Sequence, residues 1–381
     1  MEQKKINVTN QATYLNLTEK LNNQFYITPE FLIENGVLPF STFYQIDENK
    51  EYSAEINIIS SYEIQDIEIQ IDSQLLNANM LSEPLSMRGV NMTQLIYHPI
   101  QYNEETKILT IIDEFDIVIN ESDILFEDPL DSVVPISQEF KKILSSMVIN
   151  LDISSRTTDT QPSILYICGG SSLSNSYLQD LIQWRKEQGY KVFTASTSDI
   201  GTSLNAISNY ISDAYYNWEF PPEYVVLVGD TSGSYQIPYS SASGGESDYP
   251  YSLIDGGDLL PELSIGRISA SSSSDLSNII NKTLAYEKAT FIDYTGTDWY
   301  ESSALVGDPS STGNSAIITN EYIENILNAY DFEDIGTCYS CGGYSSWMQN
   351  QLEEGILYFN YRGYIGTSGF GSNNINNANN N

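Results

Sequence analysis

From Ser163 onward, short apolar runs alternate with helix-length segments, and this rhythm restricts the fold more than any other feature. Residues 164–167 read as a buried strand, residues 173–188 have helical spacing ending at Gly189, and residues 191–195 form the next strand. Residues 205–218 predict a second helix, followed by the strong strand Tyr224-Val-Val-Leu-Val-Gly-Asp230. A helix over 274–288, a strand over 303–306 and a helix over 320–329 continue the pattern. The last apolar run, residues 356–361, reads as a strand buried on both faces, with Gly363 and Gly366 permitting a turn after it. Strand, helix, strand in this order implies right-handed crossovers and a mainly parallel sheet flanked by helices. In such sheets ligands gather at the carboxyl ends of the strands, which puts the expected chemistry at residues 361–370.

Upstream the period changes. Ile67, Ile69 and Ile71 alternate with polar neighbours, and Phe115, Ile117 and Ile119 alternate with Asp116 and Val118. Residues 1–130 therefore read as β-rich and sandwich-like. Residues 131–161 read as a linker region with one short helix over 139–148, and residues 154–162 are a polar stretch exposed to nicking. Residues 162–381 carry the α/β rhythm.

Composition removes several functions. Fifty-one acidic residues against 16 basic ones leave a net charge of −35, which a nucleic-acid backbone repels. The acidity reads either as a solvated surface or as carboxylates gathered for calcium. No run approaches a membrane span, and no apolar h-region follows Met1-Glu-Gln-Lys-Lys5, so neither a span nor a signal peptide is expected within the sequence. Gly169-Gly170 lacks the rest of a dinucleotide fingerprint, and no phosphate-binding loop motif occurs.

The chain has three cysteines, Cys168, Cys338 and Cys341, and one histidine, His98. His98 lies in the β-rich part, so residues 151–381 hold no imidazole to pair with a cysteine or serine. Cys338-x-x-Cys341 is a weak zinc or redox signal beside the plainer reading of ordinary cysteines. Cys168 sits at a strand end before a helix, where it is either a helix-activated thiol or simply a small buried residue. Asp230, Asp255, Asp258 and Asp308 stand at strand ends or turns, where an aspartate can orient a base, hold calcium or cap a helix.

Several longer motifs carry a resemblance. Trp184-Arg-Lys-Glu-Gln-Gly-Tyr-Lys-Val192, Asp248-Tyr-Pro-Tyr-Ser-Leu-Ile-Asp-Gly-Gly-Asp258 and Pro261-Glu-Leu-Ser-Ile-Gly-Arg267 resemble gingipain-type (C25) cysteine peptidases. Met87-Arg-Gly-Val-Asn91 and Pro99-Ile-Gln-Tyr-Asn103 are similar to that family's propeptide. The resemblance implies a β-rich prodomain before a caspase-like α/β peptidase domain, with sub-domains over about 162–295 and 296–381. It further implies a cysteine endopeptidase precursor acting on proteins or peptides, secreted or held at the cell surface. No cofactor is required, and calcium at Asp248, Asp255 and Asp258 is an optional addition. In the family a Tyr-x-Gly-His-Gly loop bears the catalytic histidine. Here the matching segment is Asn360-Tyr-Arg-Gly-Tyr-Ile-Gly366, with Tyr364 at the histidine's place after Gly363. Asp308 matches the acidic residue that orients the histidine, the nucleophile's position lies beyond Asn381, and Arg156 is the expected processing point. The replaced histidine leaves an alternative: an inactive pseudopeptidase serving as a binding or assembly module.

Overall fold

The computed structural model describes residues 2–9, 40–65, 80–97, 100–103, 105–123, 134–154, 160–242, 245–290 and 298–363. Ile67, Ile69, Ile71, His98, Arg156 and Tyr364 lie outside the described residues. The chain divides into two compact units, Met1–Leu284 and Ala285–Asn381.

Among the described residues the first unit begins with seven strands: β1 (Glu2–Thr9), β2 (Phe40–Gln45), β3 (Lys50–Ile64), β4 (Leu85–Met87), β5 (Val90–Tyr97), β6 (Ile100–Asn103) and β7 (Ile108–Asp123). They form two antiparallel sheets, one in the order β1-β7-β3 with β6 also on β7, the other β2-β5-β4. Tyr44 and Leu95 of the second sheet share one core with Ile112, Phe115, Ile117 and Ile119 of β7. The alternation read from Phe115 to Ile119 is thus the inward face of β7. Asp116 is buried too, so the outward face of this strand is also covered. A helix, α1 (Gln138–Met147), follows, with Ser137 accepting from the Phe140 amide as its cap.

Four parallel strands then build the first α/β sheet: β8 (Ser163–Cys168), β9 (Lys191–Ser196), β10 (Tyr224–Val228) and, after the small hairpin of β11 (Ser240–Ala242) and β12 (Gly245–Ser247), β13 (Ser264–Ile268). Their order is β13-β10-β8-β9. Helices α2 (Ser176–Glu187) and α3 (Leu204–Asn217) make the β8–β9 and β9–β10 crossovers, and α4 (Ser273–Glu287) follows β13. Leu178, Ile182, Leu276 and Ile280 pack on one face with Tyr166 and Val228, and Ile207 and Ile211 on the other with Leu165, Ile167 and Leu227. Full burial of each such side chain contributes about 1.5–3 kcal/mol, which is why β8 carries an apolar run from Ile164 to Ile167. Helix α2 starts where the Asn175 side chain accepts from the Tyr177 and Leu178 amides, and Gly189, at φ +95°, ends it.

Among the described residues the second unit holds a three-stranded parallel sheet ordered β15-β14-β16, from β14 (Ser302–Gly307), β15 (Asp334–Tyr339) and β16 (Tyr358–Arg362). Helices α5 (Ser315–Ala329) and α6 (Tyr344–Glu354) join them. The expectation that residues 356–361 are buried on both faces is corrected here. Among the described residues β16 pairs only with β14, and Leu357 and Tyr358 are exposed. The middle position belongs to β14, whose Ser303–Val306 are at most 1% exposed. β15 and α6 escape the sequence reading, because Asp334-Ile-Gly-Thr-Cys-Tyr339 has a single branched aliphatic and α6 is polar along most of its length.

Candidate active site at the carboxyl end of the second sheet

Strand β14 ends in Gly307, and Asp308 stands directly beyond it. Pro309 cannot extend the ladder and opens a one-turn helix instead, Pro309–Thr312. Asp308 caps that turn: its Oδ1 accepts from the Ser310 amide at 3.0 Å and from Ser310 Oγ at 2.6 Å. Its own amide donates to the Arg362 carbonyl at 2.9 Å, which ties it to the end of β16. The next residue there is Gly363. A Cβ on Gly363 would lie 3.0 Å from Asp308 Cβ and 2.6 Å from Tyr361 Oη, so the absence of a side chain lets the two loops meet. The structure therefore brings Asp308 and Gly363 together, two of the three residues expected to carry the chemistry.

Other groups frame this pair. Tyr344 Oη donates to the Gly307 carbonyl at 3.3 Å, and the Ser340 amide reaches the same oxygen at 3.3 Å. Burial, then the negative charge of Asp308, holds the Tyr344 and Tyr361 phenols above their ordinary range, so both are proton-bearing donors near neutrality. Beneath them, the fully buried Asn320 donates to the Val306 and Ala316 carbonyls at 2.9 Å each and accepts from Asn360 Nδ2 at 2.8 Å. One amide thus locks α5, β14 and β16 in register below the site. Sequence reading placed Asn320 only at a helix start; a polar residue on the inward side of an apolar helix is the signal that could have found it.

None of the three cysteines is placed as a nucleophile. Cys338 and Cys341 are joined in a disulfide, with Cα atoms 5.4 Å apart, packed among Val306, Met348 and Trp347. Cys168 is fully buried at the end of β8, and burial pushes its thiol up to about 12. Gly169 and Gly170 beside it are explained by packing: a Cβ on either would collide with the Tyr235 or Ser234 carbonyl.

The aspartates considered for calcium are not brought together. Asp248 gives both oxygens to Arg267, at 2.6 and 2.7 Å. Asp258 accepts from the Ser86 and Leu260 amides, at 2.7 and 2.6 Å, and Asp255 Oδ1 accepts from the Gly256 amide at 2.9 Å. Among the described residues no cluster of three or more His, Cys, Asp or Glu side chains is arranged to hold a metal ion. The geometry gives calcium no shared coordination sphere at these three positions.

A family model described as Peptidase family C25 matches residues 157–381. Gingipain R2 of Porphyromonas gingivalis is 28% identical over 306 residues, covering 77% of this chain and 41% of that protein. Lys-gingipain of the same organism is 26% identical over 261 residues, covering 65% of this chain and 14% of its own. The crystal structure of the Arg-specific cysteine proteinase gingipain R is similar at 27% identity and a TM-score of 0.48, over 57% of this chain and 50% of that one. The chain thus spans less than half the length of these gingipain sequences. Because the family model matches more than half of the chain, this protein belongs to peptidase family C25.

Proposed function

We propose that the chain is part of a cysteine-type endopeptidase precursor, with residues 1–130 as a propeptide-like segment, 131–161 as linker and 162–381 as peptidase. The nucleophilic cysteine belongs to sequence beyond Asn381, since Cys168 is buried and Cys338 and Cys341 are bonded to each other. Its thiolate would attack the scissile carbonyl carbon. The amine would leave with a proton, and water would then release the acyl group from sulfur. Asp308 would orient the proton-carrying group on the loop that begins at Gly363, where the family has histidine and this chain has Tyr364. A free phenol is a poor base for a thiol, so Tyr364 would serve as donor, or would need a cationic neighbour such as Arg362 to act as base. Secretion or display at the cell surface belongs to the same proposal. For the described residues, no helix is long and apolar enough to cross a membrane.

The observation that carries this reading is the contact of Asp308 with Gly363 at the carboxyl end of a buried central strand. The test is to treat a polypeptide extended past Asn381 with a peptidyl, thiol-directed covalent inhibitor and map the adduct by mass spectrometry. The expected adduct is on a cysteine C-terminal to Asn381. An adduct on Cys168 overturns the site. Absence of labelling across several peptide sequences favours the pseudopeptidase, for which Tyr364 in place of histidine is the supporting observation.

A further inference from the structure

The Cys338-x-x-Cys341 pair takes no part in the chemistry above, yet it lies beside the strand end that carries it. In the register of β15 with β14, Cys338 stands opposite Val306 and Tyr339 opposite Gly307, the residue before Asp308. Beyond Tyr339 the chain turns through Ser340 at φ +56°, a conformation disfavoured for any residue with a side chain. In that conformation the Ser340 amide donates to the Gly307 carbonyl at 3.3 Å. Tyr344 Oη, at the start of α6, donates to the same oxygen at 3.3 Å. The Cys338–Cys341 bond closes the turn around Ser340.

Packing does little that would replace this bond. Gly342 and Gly343 lead from Cys341 into α6, and among the described residues a Cβ on either would meet no heavy atom within 4 Å. Helix α6 also starts without a side-chain cap. The two sulfurs differ in access. Cys338 is only 1% exposed, whereas Cys341 is half-buried between the exposed Ser340 and Gly342. One end of the bond is thus anchored in the core, and the other lies within reach of a thiol from solvent. A ring this short restricts the unfolded chain less than a long loop would, so the bond acts mainly on the turn it closes.

We propose that Cys338–Cys341 is a thiol–disulfide exchange site that controls the carboxyl end of β14, with small dithiols as its reactants. A thiolate of the dithiol attacks Cys341 Sγ, the S–S bond breaks, and Cys338 leaves as a thiolate and takes a proton. The dithiol's second thiolate attacks the mixed disulfide, Cys341 leaves and is protonated in turn, and the reactant departs as a cyclic disulfide. Two electrons pass to the protein, and the dithiol's two protons are balanced by those on the cysteines. With the ring open, Ser340 leaves its disfavoured conformation by way of the two glycines, and the Gly307 carbonyl loses the donors that fix it next to Asp308. The oxidised pair holds the candidate site and the reduced pair loosens it. The exchange site does not rest on the chain being a peptidase.

The test is amide hydrogen exchange on the full chain, read by mass spectrometry before dithiothreitol, after it without denaturant, and after reoxidation. Alkylation of the reduced, folded protein is expected to mark Cys338 and Cys341 and to spare the buried Cys168. Residues 339–344 and 306–310 are expected to exchange faster by about 10-fold once reduced and to recover on reoxidation, while residues 163–168 stay unchanged. Cys338→Ser/Cys341→Ser should exchange at the reduced rate and not respond to dithiothreitol. Should that variant fail to fold, the reduction and reoxidation of wild type decide the matter alone. A bond that opens only in denaturant overturns the site. So does unchanged exchange at 306–310 after the bond opens, or a loss of protection that extends through 163–168.

Discussion

The two α/β sheets each have a central strand ending in Val-Gly-Asp, Val228-Gly-Asp230 in β10 and Val306-Gly-Asp308 in β14, yet the two ends are built for different purposes. After Asp230 the chain folds back on its own sheet. The Tyr235 carbonyl packs into space left by Gly169 and Gly229, and the Ile237 amide donates to the Asp230 carbonyl at 2.8 Å. Arg267 fastens the cover, donating to the Gly229, Ile237 and Pro238 carbonyls at 2.9, 3.0 and 3.2 Å and to Asp248. The first sheet is closed by its own backbone. After Asp308 the chain turns away in a single helical turn, and what meets the aspartate is a glycine from a different strand. The same tripeptide serves as a packing corner in one sheet and a half-buried meeting point of loops in the other. The sequence motif alone therefore does not locate the chemistry.

Glycine substitutions sharpen the contrast most. Gly229→Ala should destabilise the protein by about 3 kcal/mol in denaturant unfolding, because the new methyl meets a fixed carbonyl and φ is +153°. Gly363→Ala should have less effect, about 1 kcal/mol, because the closest obstacle is the movable end of Tyr361. Equal losses would break the distinction. Asn320→Ala should remove about 2 kcal/mol by leaving the buried Val306 carbonyl without its donor, read in the same experiment.

The smallest effect is a pH dependence in the first unit. Burial pushes the Glu262 carboxyl up to about 7, opposed by amides that include that of Ile254, while Asp258 adds to the rise and the Arg88 guanidinium bonds to the Glu262 main chain. Between pH 4.5 and 7 the folded protein then keeps a proton that the unfolded chain has lost, so this group's contribution to stability falls as pH rises through that window. Glu262→Gln should flatten that slope and raise the melting temperature at pH 8 by about 2 °C. An unchanged slope would remove Glu262 as its cause.

Much of the fold was legible because its strands are buried on two faces and so appear as unbroken apolar runs, as in Ile164-Leu-Tyr-Ile167 and Tyr224-Val-Val-Leu-Val228. The edge strands β13 and β15 were not. β13 and β15 each contain a glycine, and β16 looked central because Ile356-Leu357 continues its apolar run outside the strand itself. Asp308 was visible as a strand-end carboxylate, but its partner was not, since Gly363 lies more than fifty residues away and register decides the meeting. Arg88 could be noticed only as part of a motif. Nothing local predicts that an arginine in a hairpin turn points inward, because its acceptors are main-chain carbonyls from three distant segments.

The most direct test measures kcat/KM of the extended protein with Asp308→Asn beside Asp230→Asn. Asparagine keeps the turn bonds of either aspartate, so folding should be preserved in both. The account predicts that Asp308→Asn lowers kcat/KM by about 100-fold or more while Asp230→Asn stays within about 2-fold of wild type. Equal losses, or the greater loss at Asp230, would contradict the placement of the chemistry at the end of β14.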